Sequence, residues 1–180
     1  MLKIWGRTNS INVQKVLWCC GELNLPHERI DAGLQFGVNN TPEYKAMNPN
    51  GLVPLMNDEG FLLWESHAIV RYLARKHGLG TLCPADEKMA ADADRWMEWF
   101  STTLWLNLRP VFWNLVRTPP EKRDMPQVES SLKALTAHFQ VVDAWLAQRD
   151  YMAGNAFSMG DIPMAFRRFV GITWTSRDPP

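Results

Sequence analysis

The sequence predicts a small α/β module followed by an all-helical domain, and three observations carry that prediction. Short apolar runs and one helical repeat come in the order strand, helix, strand, then strand, strand, helix, over about the first 77 residues. The stretch Gly78-Leu79-Gly80-Thr81-Leu82-Cys83-Pro84 has the composition of a linker. Beyond it, apolar residues recur at intervals of three and four with no further strand pattern. The domains are therefore expected at 1–78 and 85–180.

In the first domain, Leu2 and Ile4 alternate with polar neighbours, as in a short strand. Gly6 to Asn12 is a polar loop. Val13, Val16, Leu17 and Cys20 then recur at helical spacing, Leu23 ends that face, and Pro26 closes the helix. His27 to Asp31 is extended, so residues 1–31 read as a βαβ unit with parallel strands and a right-handed crossover. Gly33 and Gly37 weaken any helix before Thr41-Pro42-Glu43-Tyr44, which has the form of a helix start with proline in the first position. Val53–Met56 and Phe61–Trp64 are two strands joined by the hairpin signal Asn57-Asp58-Glu59-Gly60. Pro54 lies at a strand start, where a missing N–H is tolerated. An X-Pro bond has only a small trans preference, so a cis Val53–Pro54 bond is accessible. Ser66 is a natural N-cap for a helix with Ile69, Val70 and Leu73 inward and Arg71, Arg75 and Lys76 outward. The free N–H groups at such a helix start suit an anion, so this stretch reads as a pocket for a small carboxylate.

In the second domain, Asp86 opens a long helix with Ala93, Trp96, Met97, Phe100 and Leu104 on one side. Pro110 is expected to kink or break it. Thr118 to Asp124 is an exposed loop. Val128, Leu132, Leu135, Phe139, Val142 and Leu146 form a narrow apolar seam on the next helix. Gly154 ends the turn after it. Ser158-Met159-Gly160-Asp161 then has the form of a capping box, with Phe157 and Ile162 placed for a hydrophobic staple.

Composition removes several classes of function. Lys+Arg and Asp+Glu balance at 19 each, whereas a general nucleic-acid or anionic-membrane binder needs a basic excess. No apolar run approaches a membrane span. Three cysteines give no disulfide framework, and a reducing cytoplasmic location is expected. Four histidines without carboxylate or cysteine pairing predict no metal site. Gly-x-Gly-x-x-Gly is absent, as is Cys-x-x-Cys at the first helix start. Dinucleotide chemistry and dithiol exchange are therefore not expected.

The order of the first module is that of the thioredoxin fold. With Val53-Pro54, Glu65-Ser66, the Phe157/Ser158/Asp161 region and the run from Trp5 to Val16 (Trp-Gly-Arg-x-x-Ser-x-Asn-Val-x-Lys-Val), the chain resembles the cytosolic glutathione transferases over nearly its whole length. The similarity is strongest to the bacterial theta- and delta-like, serine-type group. It implies glutathione as co-substrate and Ser10 as the hydroxyl that donates to the thiolate. Thr8, Asn9 and Asn12 stand in the same loop as alternatives, and Ser10 also reads as an ordinary N-cap. Val53 would offer its backbone to the cysteinyl part, aimed by a cis Pro54. Glu65 and Ser66 would hold the γ-glutamyl end, with Asn12 also on the glutathione side. Asn39 and Leu52 occupy the positions of a histidine and a lysine in that group, which removes positive charge where the glycine carboxylate would sit. Trp105, Arg109 and Trp113 would line the hydrophobic substrate site.

The resemblance implies a transferase that directs the thiolate onto a small electrophile in detoxification, and a homodimer that binds neither nucleic acid nor membrane. A glutathione-dependent disulfide reductase or peroxidase, or a non-catalytic glutathione-binding relative, is the alternative. Members of this group continue past a Pro-Asn-Leu-x-x-Trp stretch into a further helix. The sequence here stops at Asp178-Pro179-Pro180, so a truncated or altered C-terminus with an uncovered apolar surface is expected.

Overall fold

Four strands form a mixed sheet in the order β2-β1-β3-β4 in the computed structural model, which describes residues 1–164. The strands are β1 (Leu2–Trp5), β2 (His27–Ile30), β3 (Leu55–Asp58) and β4 (Phe61–Trp64). β1 runs parallel to β2 with Leu2 opposite His27, and antiparallel to β3 with Trp5 opposite Leu55. This is the thioredoxin-like order expected from the sequence. The alternation read in β1 is real: Leu2 and Ile4 are buried and Lys3 is exposed.

Helix α1 (Ile11–Glu22) crosses between the parallel strands and packs on α3 (Ser66–His77). Ile4, Val13, Val16, Cys19, Ile69, Val70 and Leu73 are closed off from solvent. Burying such aliphatic side chains contributes about 2 kcal/mol apiece against the entropy of ordering the chain. Gly6 allows the tight approach of β1 and α1, because a Cβ there would lie 2.3 Å from a Val13 methyl. The helix ends earlier than Pro26 suggests. Asn24 adopts a left-handed φ of 50°, Asn24 N–H donates to Gly21 and Leu25 N–H to Cys20, a Schellman closure.

The short helix α2 (Pro42–Met47) begins where the proline indicates, and the Thr41 hydroxyl accepts from Tyr44 N–H. Pro54 precedes β3 rather than opening it, and the Val53–Pro54 bond is cis. The hairpin turn is two residues, Glu59 and Gly60, both at positive φ, with the Asn57 side chain accepting from Gly60 N–H. Tyr72 and Lys76 of α3 both reach the Asp58 carboxylate and hold the hairpin to the helix. The stretch 78–84 is no open linker. Cys83 N–H donates to Gly78 and Gly80 N–H to Cys83, closing a turn in which Gly78 lies against Leu23. The chain divides into two compact units between Glu87 and Lys88.

The second unit contains α4 (Glu87–Trp99), α5 (Trp105–Phe112) and α6 (Met125–Leu146). Pro110 does not break α5. The helix passes through it, and five-residue π-helical turns stand on either side, Phe100–Leu104 and Trp113–Arg117. Such turns shift hydrogen-bond register without ending a helix. The α6 seam is also phased differently from expectation. Val128, Ser131 and Leu135 are buried while Leu132 and Leu146 are exposed. His138 and Trp145 continue the inner line against Trp99 and Trp96. Ser131 and His138 lack the apolarity that a sequence pattern detects. Asp161 accepts from the N–H groups of both Ser158 and Met152, and the Ser158 hydroxyl accepts from Gly160 N–H. The helix expected after this cap, including Phe166-Arg167-Arg168-Phe169, lies outside the described residues. Among the described residues no helix is long and apolar enough to cross a membrane.

Candidate functional site

Two helix starts on the same module carry the candidate residues. Ser10 is the N-cap of α1 with extended backbone, φ −97° and ψ 123°. Its carbonyl accepts from Gln14 N–H and its own N–H donates to the Arg7 carbonyl, which fixes the residue in place. The side chain nevertheless makes no capping hydrogen bond. An N-cap serine normally uses its hydroxyl on the N–H two or three residues on. Here the hydroxyl is left for another partner, beside the positive end of a 12-residue helix.

The second start belongs to α3. Its N-cap is Glu65 and not Ser66, which is the first helical residue. The shift by one residue comes from an unusual backbone: Glu65 has φ 72° and ψ 115°. A charged, non-glycine residue held in that region costs about 1–3 kcal/mol, and such strain clusters at ligand sites. Glu65 makes no side-chain cap either. Helix capping therefore accounts for neither Ser10 nor Glu65. Ser66 is buried and presents one of the first N–H groups of α3, which no carbonyl within the helix can reach.

Val53 lies in the loop before β3. No backbone hydrogen bond among the described residues engages its N–H or C=O. The preceding turn is fastened from beneath, where Tyr44 Oη and Asn48 Nδ2 both donate to the Leu52 carbonyl. Asn39, at the position expected near the glycine end of the ligand, is tied to the neighbouring turn. Its Nδ2 donates to the Gly51 carbonyl at 2.6 Å, and the remaining Oδ1 is an acceptor buried without a partner. Asn12 is likewise engaged, its Oδ1 accepting from Lys15 Nζ at 3.1 Å.

Lys15 and His67 belong to this neighbourhood although sequence reasoning did not select them. Lys15 is buried in α1, and its Nζ lies 3.0 Å from His67 Nε2, the second residue of α3. Burial pulls the ammonium down to about 7, against the opposing pull of the Glu65 carboxylate. The available signal was a lysine next to Val16 on the helix whose Val13, Val16 and Cys20 form its apolar face. Cys19 and Cys20 are free and buried, and burial pushes their thiols up to about 12 and about 11. A reactive thiol needs the opposite shift. Among the described residues no group of His, Cys, Asp or Glu could hold a metal ion.

In the helical unit, Trp105, Arg109 and Trp113 follow one another at intervals of four. Trp105 is half-buried, stacked on Phe100, while Arg109 and Trp113 are exposed. Trp96, Phe100 and Phe112 are core residues. A hollow of about 530 Å³ over α3 is lined by Ala68, Arg71, Tyr72, Arg75 and Lys76, and none of the candidate residues borders it.

Comparison with known proteins adds the lineage. Residues 9–76 match the family described as "Glutathione S-transferase, N-terminal domain", and residues 105–169 match "Glutathione S-transferase, C-terminal domain". The chain is 46% identical to glutathione S-transferase GstB of Escherichia coli, over 98% of this chain and 88% of that protein. Its fold is similar to the crystal structure of a theta class glutathione S-transferase from Xanthomonas axonopodis pv. citri with glutathione bound. That match has a TM-score of 0.91 and 41% identity, over 99% of this chain and 86% of that one. It is also similar to maize glutathione S-transferase I in complex with an atrazine glutathione conjugate, with a TM-score of 0.81 and 27% identity over 90% and 77% of the two chains.

Proposed function

The chain belongs to the glutathione S-transferase family and is a glutathione transferase, and we propose that Ser10 stabilises the glutathione thiolate for attack on a small hydrophobic electrophile. The observation that carries this reading is the Ser10 hydroxyl, which sits at a helix N-terminus without capping the helix. Glutathione has a thiol pKa near the ~8.5 of a cysteine side chain, so at neutral pH it is mostly protonated. Lowering that value by one unit needs only about 1.4 kcal/mol of preference for the anion. One charge-assisted hydrogen bond beside a helix dipole supplies that much.

In the same reading Val53 pairs its free N–H and C=O with the cysteinyl backbone of the ligand. Ser66 N–H meets the γ-glutamyl carboxylate and Glu65 meets the amino group. That assignment gives the strained Glu65 backbone a purpose, since its carboxylate does not cap its own helix. Asn39 serves indirectly by holding Gly51. The Trp105, Arg109 and Trp113 stripe takes the hydrophobic co-substrate. Free, buried cysteines suit a cytoplasmic location, and the chemistry suits detoxification. The outer strand β4 exposes Phe61, Leu62 and Trp64 and supports pairing as a homodimer.

Titrating the ultraviolet absorbance of bound thiolate against pH tests the proposal. The bound thiol is expected to ionise at least one unit below the free thiol, and Ser10→Ala to return it to near the free value. Because the hydroxyl caps nothing, Ser10→Ala should leave Tm unchanged. An ordinary N-cap would lose about 1 kcal/mol on the same substitution. A shift that survives Ser10→Ala would move the role to Thr8 or Asn9, and a parent protein with no shift would overturn thiolate stabilisation.

A further inference from the structure

Lys15 is a buried cation on the face of α1 that packs against α3. It sits one turn beyond Asn12 and about one and a half turns beyond Ser10. Its Nζ has Asn12 Oδ1 at 3.1 Å and His67 Nε2 at 3.0 Å. His67 adjoins Ser66 at the start of α3, so these bonds join the opening turns of two separate helices, across 52 residues of sequence. The titratable groups facing the ammonium include His67 from α3 and the Glu65 carboxylate at its cap, and Asn12 faces it from α1. Nothing in the transfer reaction itself uses this lysine.

We propose that Lys15 is a positioning residue that clasps the helix start bearing Ser10 to the helix start bearing Glu65 and Ser66, and that its charge ties glutathione affinity to pH. The inference rests on the glutathione site proposed above. As an ammonium it donates to Asn12 and to the unprotonated Nε2 of His67 and offsets the negative charge of a ligand seated at the two helix N-termini. As an amine it keeps at most a weaker contact and offsets nothing. Burial places the changeover near neutrality, at about 7 in the free protein. A bound anion favours the charged form, so ligand binding above that pH draws a proton onto Lys15.

Isothermal titration calorimetry with S-methylglutathione tests this, because that ligand has no thiol proton to release. Repeating each titration in phosphate and in Tris reads the protons exchanged. Unmodified protein is expected to take up a fraction of a proton near pH 7.5 and none near pH 5.5. Lys15→Met is expected to abolish the uptake and weaken binding about tenfold near pH 6, with an unchanged circular dichroism spectrum. His67→Gln, which keeps an acceptor for the ammonium, should retain the uptake. A parent protein that binds without proton uptake overturns the proposal, and that result needs no variant to fold. Parent-like affinity in Lys15→Met, or uptake that persists there and vanishes in His67→Gln, also overturns it. Failure of the parent to bind S-methylglutathione at any pH would instead remove the glutathione site, and this inference with it.

Discussion

Lys15 makes stability as well as affinity depend on pH. Unfolded, it has the ordinary lysine value of 10.5, and folded it titrates at about 7. Between those values the unfolded chain binds the extra proton, so stability rises with pH across the window, by at most about 1.4 kcal/mol per unit. Below the folded value both states are charged and the burial penalty is complete. Thermal melts of the parent and Lys15→Met from pH 6 to pH 9 should show a difference in Tm that shifts in the parent's favour as pH rises above 7. A difference that stays flat would contradict the buried, shifted ammonium. Much of the site was open to reading at this scale. Ser10 stands at the helix start that its pattern indicated, while Pro54 falls just before its strand and the cap of α3 falls one residue early, at Glu65. The Lys15–His67 contact was not, because a lysine in a helix reads by default as an outward residue and its partner is 52 positions away. The bond from Asn39 to the Gly51 carbonyl was not legible either, because alignment to a pattern gives a position and not the partner of the amide.

At the scale of elements, the second unit shows where sequence patterns lose phase. Apolarity placed Leu132, Phe139 and Leu146 in the α6 seam, yet the inner line runs through Val128, Ser131, Leu135, His138 and Trp145. Three of those five are polar or amphipathic, and the line's partners lie on α4 and α5: His138 meets Asn107 and Trp99, and Trp145 meets Trp96. Of the two outcomes expected at Pro110, a kink or a break, the break does not occur. A proline removes one helical hydrogen bond, but here the helix continues through it between two π-helical turns. The cap at Ser158–Asp161 was legible because its chemistry is local. Asp161 satisfies two backbone N–H groups, those of Met152 and Ser158, and burial raises the pKa of its carboxyl against those bonds. Asp161→Ala would leave both donors without their partner at a cost of about 2 kcal/mol or more. Urea unfolding should show a lower midpoint at unchanged slope, and a midpoint equal to the parent's would show that the cap does not support the unit.

For the molecule as a whole, the sheet order leaves β4 at an edge, with Phe61, Leu62 and Trp64 exposed along it. A row of unpaired backbone groups carrying apolar side chains invites association unless it is covered. A homodimer that buries this edge is the expected state, and light scattering should return twice the mass of one chain. A mass of one chain would contradict it. Phe61→Lys, a charge on the strand's solvent side, should shift the equilibrium toward the monomer. The exposure of these residues, unlike the strand itself, could not be read from sequence, because an apolar run is the same whether it faces a core or a partner.

The uncapped hydroxyl of Ser10 has a kinetic consequence. A ligand that must first pull a donor away from the protein's own backbone loses part of its binding energy to that exchange, and waits for it. At Ser10 there is no capping bond to displace. In the proposed site, the glutathione thiolate therefore meets a buried hydroxyl that is not committed to the backbone of its own helix.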